Sequence, residues 1–480
     1  MPTHQLPYID QKTADYYFNA FVDQPYSLLL HSSQASGHYV DWILIAPEQV
    51  VTSKLHSDGP DHRVLHFDPA SLSVARLMRE ETVPNVASLI NQWLVNYQSM
   101  TPKASGFTGG IAGAMAYDFG RQIERLPEQA ATELELNDLC LGLYFCPIKI
   151  DHQQQQVTLY DNYQRANTAA AILQRINEYT AANRVSQWAP FHLTSSWMSN
   201  MDQDSYREKF SQVQAYIHSG DCYQINLAQR FKAHYAGHPW QAFQYLAQQN
   251  QGPFSAYFNL GDTQILSLSP ERFIAVADNH AITQPIKGTQ PRSDDPQQDE
   301  LNKQLLINSE KDQAENLMIV DLLRNDLSKT AAPGSVKVTE LFGLYSFPSV
   351  HHLISTVEAT IADGFSAFDV LYQSFPGGSI TGAPKVRAME IIEELEPHRR
   401  HFYCGSMVYL GFDGSMDSNI MIRTLITDQN TIYTWAGGGL VADSQCELEY
   451  QETFAKLSKI LDPLSKLNST FDEQANATNS

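Results

Sequence analysis

Along much of this chain apolar and polar residues alternate in short runs with a period of two, the mark of half-buried strands. Between those runs lie stretches whose apolar positions recur at helical spacing. Up to about residue 190, strand-like runs fall at Ser27-Leu28-Leu29-Leu30-His31-Ser32, Trp42-Ile43-Leu44-Ile45 and Leu141-Gly142-Leu143-Tyr144-Phe145, and helical patterns at Val86 to Tyr97 and Thr168 to Asn183. The small residues from Gly109 to Asp118 suit tight backbone packing in a sheet; without GxGxxG spacing ahead of a helix they are read as structural. A polar, turn-rich passage from Phe191 to Asp204 forms a joint. After it Asp202 or Asp204 caps a helix carrying Phe210, Val213 and Ile217 and ending at Gly220. Next, Asp221 to Phe231 alternates as a strand with a wet face bearing Gln224, Asn226 and Arg230, and a β-rich region follows from Phe254 to Phe273. The stretch 466–480 has no apolar face and is expected to be disordered. The chain thus divides into an N-terminal α+β region at 1–190, a second unit at 200–462 and a tail. Many short strands with few βαβ periods predict an α+β fold, a sandwich of antiparallel sheets in which the two halves share one core.

Within that pattern several residues are placed for chemistry. The extended run Ala281-Ile282-Thr283 leads into Gln284-Pro285-Ile286-Lys287-Gly288-Thr289, where Pro285 fixes φ and Gly288 lets the backbone approach a ligand. Lys287 is therefore either a solvated loop lysine or a placed amine. A helix from about Glu310 to Asp326 puts Asp312 and Glu315 on one face, and Glu449 and Glu452 repeat that spacing off the stripe of Tyr450, Phe454, Leu457 and Leu461. Two such pairs are solvated helix faces or the oxygen ligands of a hard cation such as Mg²⁺. Phe375 to Glu390 is a glycine-rich loop feeding a helix that Pro397 stops. Its free N–H groups, the Ser379 hydroxyl and Lys385 make an anion seat, and without a P-loop match a carboxylate is the better guest. Arg423, embedded in the apolar strand-like run Ile420 to Leu425, calls for an anion or a structural acid. Gly437-Gly438-Gly439 strip side chains where something comes close, and His352 is a core or a site histidine.

Composition narrows the field. At 480 residues and 43% apolar content the chain buries a large core and reads as a soluble globular protein. No run is long and apolar enough for a membrane span, and no charged-then-apolar leader opens the sequence, so the cytoplasm is the expected compartment. Five scattered cysteines without CxxC spacing argue against disulfides and thiolate zinc. None of them has the flanks of a glutaminase nucleophile. The formal charge of -21, from 32 basic and 53 acidic residues, excludes a nonspecific nucleic-acid or anionic-membrane binder. A small anionic substrate stays compatible if basic residues or a bound cation offset that field locally.

Five blocks now stand in order: Ser269-Pro270-Glu271-Arg272, Pro285-Ile286-Lys287-Gly288-Thr289, Ala314-Glu315-Asn316-Leu317-Met318, Gly382 to Ala388, and Ala436-Gly437-Gly438-Gly439. Together they resemble the chorismate-utilising enzymes over residues 200 to 462. Anthranilate synthase large subunits carry alanine where this chain has Lys287, and isochorismate and salicylate synthases carry lysine where it has Gln224. Lysine at one position and glutamine at the other resembles the folate branch, which aminates chorismate at C4 on the way to p-aminobenzoate. The resemblance implies a two-layered core of sheets with helices outside. It implies Lys287 as a covalent nucleophile and Glu271 as general acid, with Mg²⁺ between Glu315 and Glu452, supported by Asp312 and Glu449. Substrate would be held by Arg423, Tyr403, Gly288, Thr289 and Gly437 to Gly439, with Gln224, His352, Ser379 and Lys385 beside them. Ammonia would come from a separate glutamine amidotransferase subunit, component II. The N-terminal region resembles a tryptophan-holding pocket at Leu29 to Ser32 and at Pro253, Phe254 and Ser255, and departs from it at Val40-Asp41-Trp42, where relatives have Arg-Phe/Tyr-Asp. The rivals are an anthranilate-forming enzyme, against which Lys287 argues, and a non-catalytic chorismate- or tryptophan-binding regulatory subunit, against which the intact Glu271 and paired carboxylates argue.

Overall fold

The computed structural model describes residues 2–32, 39–72, 76–98, 107–182, 188–347 and 350–477. Among them, strands form two antiparallel sheets of 13 and 12 strands, and both halves of the chain contribute to each. In the first sheet Leu28–His31 pairs with Phe254–Asn259, joining the N-terminal region to the run Thr263–Ser269, Thr424–Asp428, Thr431–Leu440 and Gln224–Ala236. In the second, Gly110–Met115 pairs with Ser406–Gly411, joining Leu139–Tyr144 and Gln49–His56 to Met416–Asn419, Arg272–Ala277, His280–Thr283, Val350–Thr360 and Ile286–Pro291. One hydrophobic cluster therefore runs from Phe18, Trp42 and Leu141 through to Leu266, Val408 and Trp435. The boundary near residue 190 separates two stretches of sequence that share sheets and core.

Helices lie against these sheets. Glu310–Ser328 packs on Val350–Thr360 and Ile286–Pro291, Lys385–Leu395 on Gln224–Ala236, and Cys446–Ala477 on Thr431–Leu440. The expected caps form: the Asp202 side chain accepts from the Ser205 amide to open Gln203–Ser219, and Gly220 closes that helix at φ +82°. The two predicted N-terminal helices are present as Val86–Gln98 and Ala166–Ala181. Two expectations are corrected. The last helix runs on to Ala477, through much of the stretch expected to be disordered. The strand face carrying Gln224, Asn226 and Arg230 is buried rather than wet: helices Gln203–Ser219 and Lys385–Leu395 pack on Ile225 and Leu227 of the other face, while Arg230 turns to Glu133 and the Tyr433 ring.

Arg400 locks this assembly. It is fully buried, and its guanidinium donates to both oxygens of Glu396 at 2.9 and 2.6 Å and to the carbonyls of Ile380 at 2.9 Å and Asn226 at 2.7 Å. The rings of Tyr117 and Tyr403 lie beside it at 4.9 and 5.8 Å. Glu396 also accepts the Ala228 amide at 2.9 Å, so one ion pair ties the glycine-rich loop to the strand Gln224–Ala236 of the first sheet. Replacing Arg400 by Met leaves a buried carboxylate without its cation, and we expect a loss of about 3–5 kcal/mol, read from the chemical-denaturation midpoint. A loss under about 1 kcal/mol would show that the pair is dispensable to the fold.

Candidate functional site

Lys287 lies inside a strand rather than in a loop. Ile286–Pro291 pairs with Val350–Thr360, Lys287 opposite Leu353 and Thr289 opposite His352, so the register skips Gly288. Gly288 has φ +81°, and a Cβ there would sit 2.9 Å from Leu306 Cδ1 and 3.0 Å from Asp312 Cγ. Glycine is demanded both by the left-handed backbone and by the close approach of the helix that carries Asp312 and Glu315. Burial pushes the Lys287 ammonium below the ordinary lysine range and the charge of Lys456 adds to that, while Glu271, Glu315 and Glu452 pull the other way.

Glu271 and Arg423 occupy two neighbouring crossings between the sheets. The chain leaves the first sheet at Ser269 and enters the second at Arg272; it returns from Asn419 to Thr424. The crossings are stitched together by the Ile420 amide on the Glu271 carbonyl at 3.0 Å, the Ser269 hydroxyl on the Ile420 carbonyl at 2.6 Å, and the Leu268 amide on the Arg423 carbonyl at 3.1 Å. Arg423 is thus not within an apolar strand as expected, but just ahead of one, at φ +51°. Among the described residues no carboxylate lies within ion-pair distance of it, and Glu271 is the acid that feels its charge. Of the two partners open from sequence, the geometry leaves the anion. Burial raises the Glu271 carboxyl above the usual range against the pull of Lys287, the hydroxyl of Ser379 donating at 3.1 Å, Lys456 and Arg423. His352 belongs to the site: its Nδ1 meets the Thr289 hydroxyl at 2.9 Å, and burial together with Arg423 keeps the ring below its ordinary pKa.

The glycine run forms the floor. Gly437, Gly438 and Gly439 pair with Ala228, Leu227 and Asn226. A Cβ on Gly437 would strike the Leu227 carbonyl, on Gly438 would lie 3.1 Å from Glu449 Oε2 and 3.8 Å from Glu452 Oε1, and on Gly439 would lie 2.6 Å from Gln224 Nε2. Gln224 is fully buried, and neither its amide nitrogen nor its oxygen has a hydrogen-bond partner in the protein. The carboxylates of the two helices act on one another: burial raises Glu315 and Glu449 above the ordinary range, Asp312 and Glu449 raise Glu315 further, and Glu452 raises Glu449. Like charges held this way favour a divalent cation, and an all-oxygen donor set suits Mg²⁺, so the residues fit the ion. Among the described residues, no three His, Cys, Asp or Glu side chains converge into a ready-made cluster.

Other expected residues serve elsewhere. Lys385 donates to Asp326 Oδ2 at 2.6 Å and to the Ser374 carbonyl at 2.8 Å, so its ammonium is committed to the fold and is no anion seat. Tyr403 is buried, stacked on Trp435 at 6.1 Å. Ser32 exchanges 2.8 Å hydrogen bonds with the Val40 backbone and gives its amide to Asp41, and the Ser255 hydroxyl donates to the Gly252 carbonyl at 2.8 Å. Pro253 and Phe254 lead into that strand, with Phe254 under the Arg272 guanidinium at 5.0 Å. At the point of departure, burial alone would raise Asp41, but His31 at 3.1 Å and His152 at 2.8 Å hold its carboxyl at about 2. Lys456 is the site residue that the sequence reading missed; its signal was its place four residues after Glu452 on one helix.

Comparison with known proteins follows the same lines. A family model described as chorismate binding enzyme matches residues 45–462. The aminodeoxychorismate synthase component 1 of Klebsiella aerogenes is 47% identical over 457 residues, 94% of this chain and 96% of that protein. The anthranilate synthase component 1 of Thermus thermophilus is 35% identical over 366 residues, 75% of this chain and 78% of that one. The crystal structure of anthranilate synthase component I from Streptococcus pneumoniae superimposes with a TM-score of 0.74 at 25% identity, covering 88% of this chain and 92% of that chain.

The Ser379 hydrogen bond stabilises the charged form of Glu271. In Ser379→Ala the carboxyl should therefore titrate higher still, by about one to two units, the worth of one hydrogen bond to a charged group. Carbon-13 NMR of labelled glutamate would read the shift; an unchanged or lower titration point would show that Ser379 does not act on Glu271.

Proposed function

The chain belongs to the chorismate binding enzyme family, and from that premise we propose that it replaces the 4-hydroxyl of chorismate by an amino group, as component 1 of an aminodeoxychorismate synthase. The observation that carries this reading is that Lys287, on the strand Ile286–Pro291, and Glu271, at a sheet crossing where Ser379 donates to it at 3.1 Å, lie within electrostatic reach of one another. Close identity to aminodeoxychorismate synthases along nearly the whole chain supports it against the anthranilate-forming alternative.

In this reading the Arg423 guanidinium receives a substrate carboxylate, and Thr289, His352 and the backbone of Gly288 and Gly437 to Gly439 shape the cavity around the ring. Gln224 offers its unpaired amide. A magnesium ion, when bound by Glu315 and Glu452 with Asp312 and Glu449 beside them, supplies positive charge for the ring carboxylate. The neutral amine of Lys287 attacks C2, both ring double bonds shift along the ring, and the C4–O bond breaks as Glu271 gives its proton, so the hydroxyl departs as water. Ammonia then attacks C4, both double bonds shift back, and the C2–N bond breaks to free Lys287. The sum is chorismate plus ammonia to 4-amino-4-deoxychorismate plus water. Ammonia is supplied by a separate glutamine amidotransferase subunit, a reading supported by the component 1 designation of the relatives and by the burial of four of the five cysteines. All five are unpaired, in keeping with the reducing cytoplasm. No described helix is long and apolar enough to cross a membrane.

With chorismate, Mg²⁺ and an ammonium salt the product should be 4-amino-4-deoxychorismate by mass spectrometry; anthranilate with pyruvate would overturn the assignment. With ammonia withheld, the intact mass should rise by chorismate less water, mapping to Lys287 and absent in Lys287→Ala. Turnover with ammonia but no such adduct would make Lys287 an electrostatic group.

Glu315→Ala and Glu452→Ala should each weaken Mg²⁺ binding about tenfold or more while keeping native circular dichroism. Wild-type metal affinity in either variant would remove that residue from the ligand set.

A further inference from the structure

Lys456 stands where the carboxylates most need a cation. On the helix Cys446–Ala477 its Nζ meets Glu452 Oε1 at 2.7 Å and donates to the Gly437 carbonyl at 2.9 Å. Gly438 shows how tightly these groups gather: a Cβ there would lie 3.7 Å from Lys456 Nζ, 3.1 Å from Glu449 Oε2 and 3.8 Å from Glu452 Oε1. The amine also reaches the catalytic pair, since its charge acts on both Lys287 and Glu271. Yet the tether is light. The Lys456 and Glu452 side chains are 41% and 50% exposed, and an ion pair of that kind, one helical turn apart and in contact with water, is weakly held. A divalent ion offers Glu452 twice the charge in the same place, and two cations would repel one another there.

We propose that Lys456 is an internal counter-cation: without the divalent ion it occupies Glu452 beside Glu449, and it must swing off that carboxylate when the ion binds. The inference rests on the metal reading given above and adds that the protein carries its own competitor for the ion. Without metal, the competitor keeps the carboxylates from facing one another bare. With metal, the freed ammonium stays anchored near the glycine floor, on the same side as the reacting groups. Lys311, 3.8 Å from Glu315 and 58% exposed, is the natural comparison, because it brings the same charge to the site without a backbone anchor.

The test titrates the full chain with Mn²⁺, by calorimetry or by electron paramagnetic resonance of the free ion, with no substrate present. Lys456→Met should bind about tenfold more tightly than wild type, about 1.4 kcal/mol, with Lys456→Arg close to wild type and Lys311→Met tighter by about twofold at most. Equal or weaker binding by Lys456→Met, or equal tightening by Lys311→Met, would overturn the competitor role while wild-type binding left the metal reading standing. Absence of binding by wild type would overturn the metal reading itself. A second measurement needs no variant: acetylation of Lys456 in the wild-type chain, followed by peptide mapping, should speed up several-fold when Mg²⁺ replaces EDTA. A rate that falls or stays the same would show that the amine does not leave Glu452.

Discussion

A lysine enclosed in the company of carboxylates sets the terms for this molecule. In water an ordinary lysine is neutral at pH 7 at a cost of about 4.6 kcal/mol. Beside Glu271, Glu315 and Glu452, Coulomb attraction would make that cost larger. Burial works in the opposite sense on both partners, disfavouring Lys287 as a cation and Glu271 as an anion. Enclosure thus moves the pair toward a neutral amine and a protonated acid, the forms that a nucleophile and an acid require. Arg423 and Lys456 oppose charge on Lys287 or favour it on Glu271, so the balance is set by which cations stay near each group.

The fold builds that enclosure from backbone. Two sheet-to-sheet crossings bring Glu271 and Arg423 together, because Arg272 pairs with Asn419 in one sheet and Ser267 with Thr424 in the other. A bulge at Gly288 lets the helix Glu310–Ser328 approach the strand bearing Lys287, and the glycines at 437 to 439 let Cys446–Ala477 and Gln224 approach from the other side. Each approach is closer than a side chain would permit, so these glycines set positions rather than flexibility. Arg400 and Glu396 hold the glycine-rich loop and the strand Gln224–Ala236 together.

What was legible in the sequence followed from local pattern. The strand and helix periods carried the antiparallel α+β character, and the cap at Asp202 or Asp204 and the Gly220 stop bounded a helix that runs Gln203–Ser219. The failures came where partners lie far apart in the chain. Lys385 was read by its place at a helix start, but Asp326, in a different helix, claims it. Gln224 looked solvated from its alternating neighbours, but both faces of its strand are buried there. Arg423 was assigned to a strand because its neighbours are apolar, and its left-handed backbone reflects a crossing that only the sheet topology explains. Lys456 was overlooked as an ordinary helix-surface lysine; its backbone anchor is on Gly437 of a strand preceding that helix.

Net charge also reads differently once the site is in view. A protein carrying -21 should repel a dianionic substrate, but surface charges act only over about 8–10 Å at physiological salt. Inside the cavity the local inventory decides, and it is unlike the surface: Arg423 without an ion-pair partner, Lys456 and Lys287 facing the acids. An anion that reaches the mouth therefore passes from a screened, weakly repelling exterior to a site where Arg423 has no carboxylate within ion-pair distance among the described residues. In that low-dielectric setting a carboxylate meeting Arg423 gains more than it would at the surface, because the guanidinium has already been stripped of water by the fold. The burial that disfavours the Lys287 cation and the burial that leaves Arg423 needing an anion are one physical condition, so binding the substrate and preparing the amine are coupled through the same enclosure.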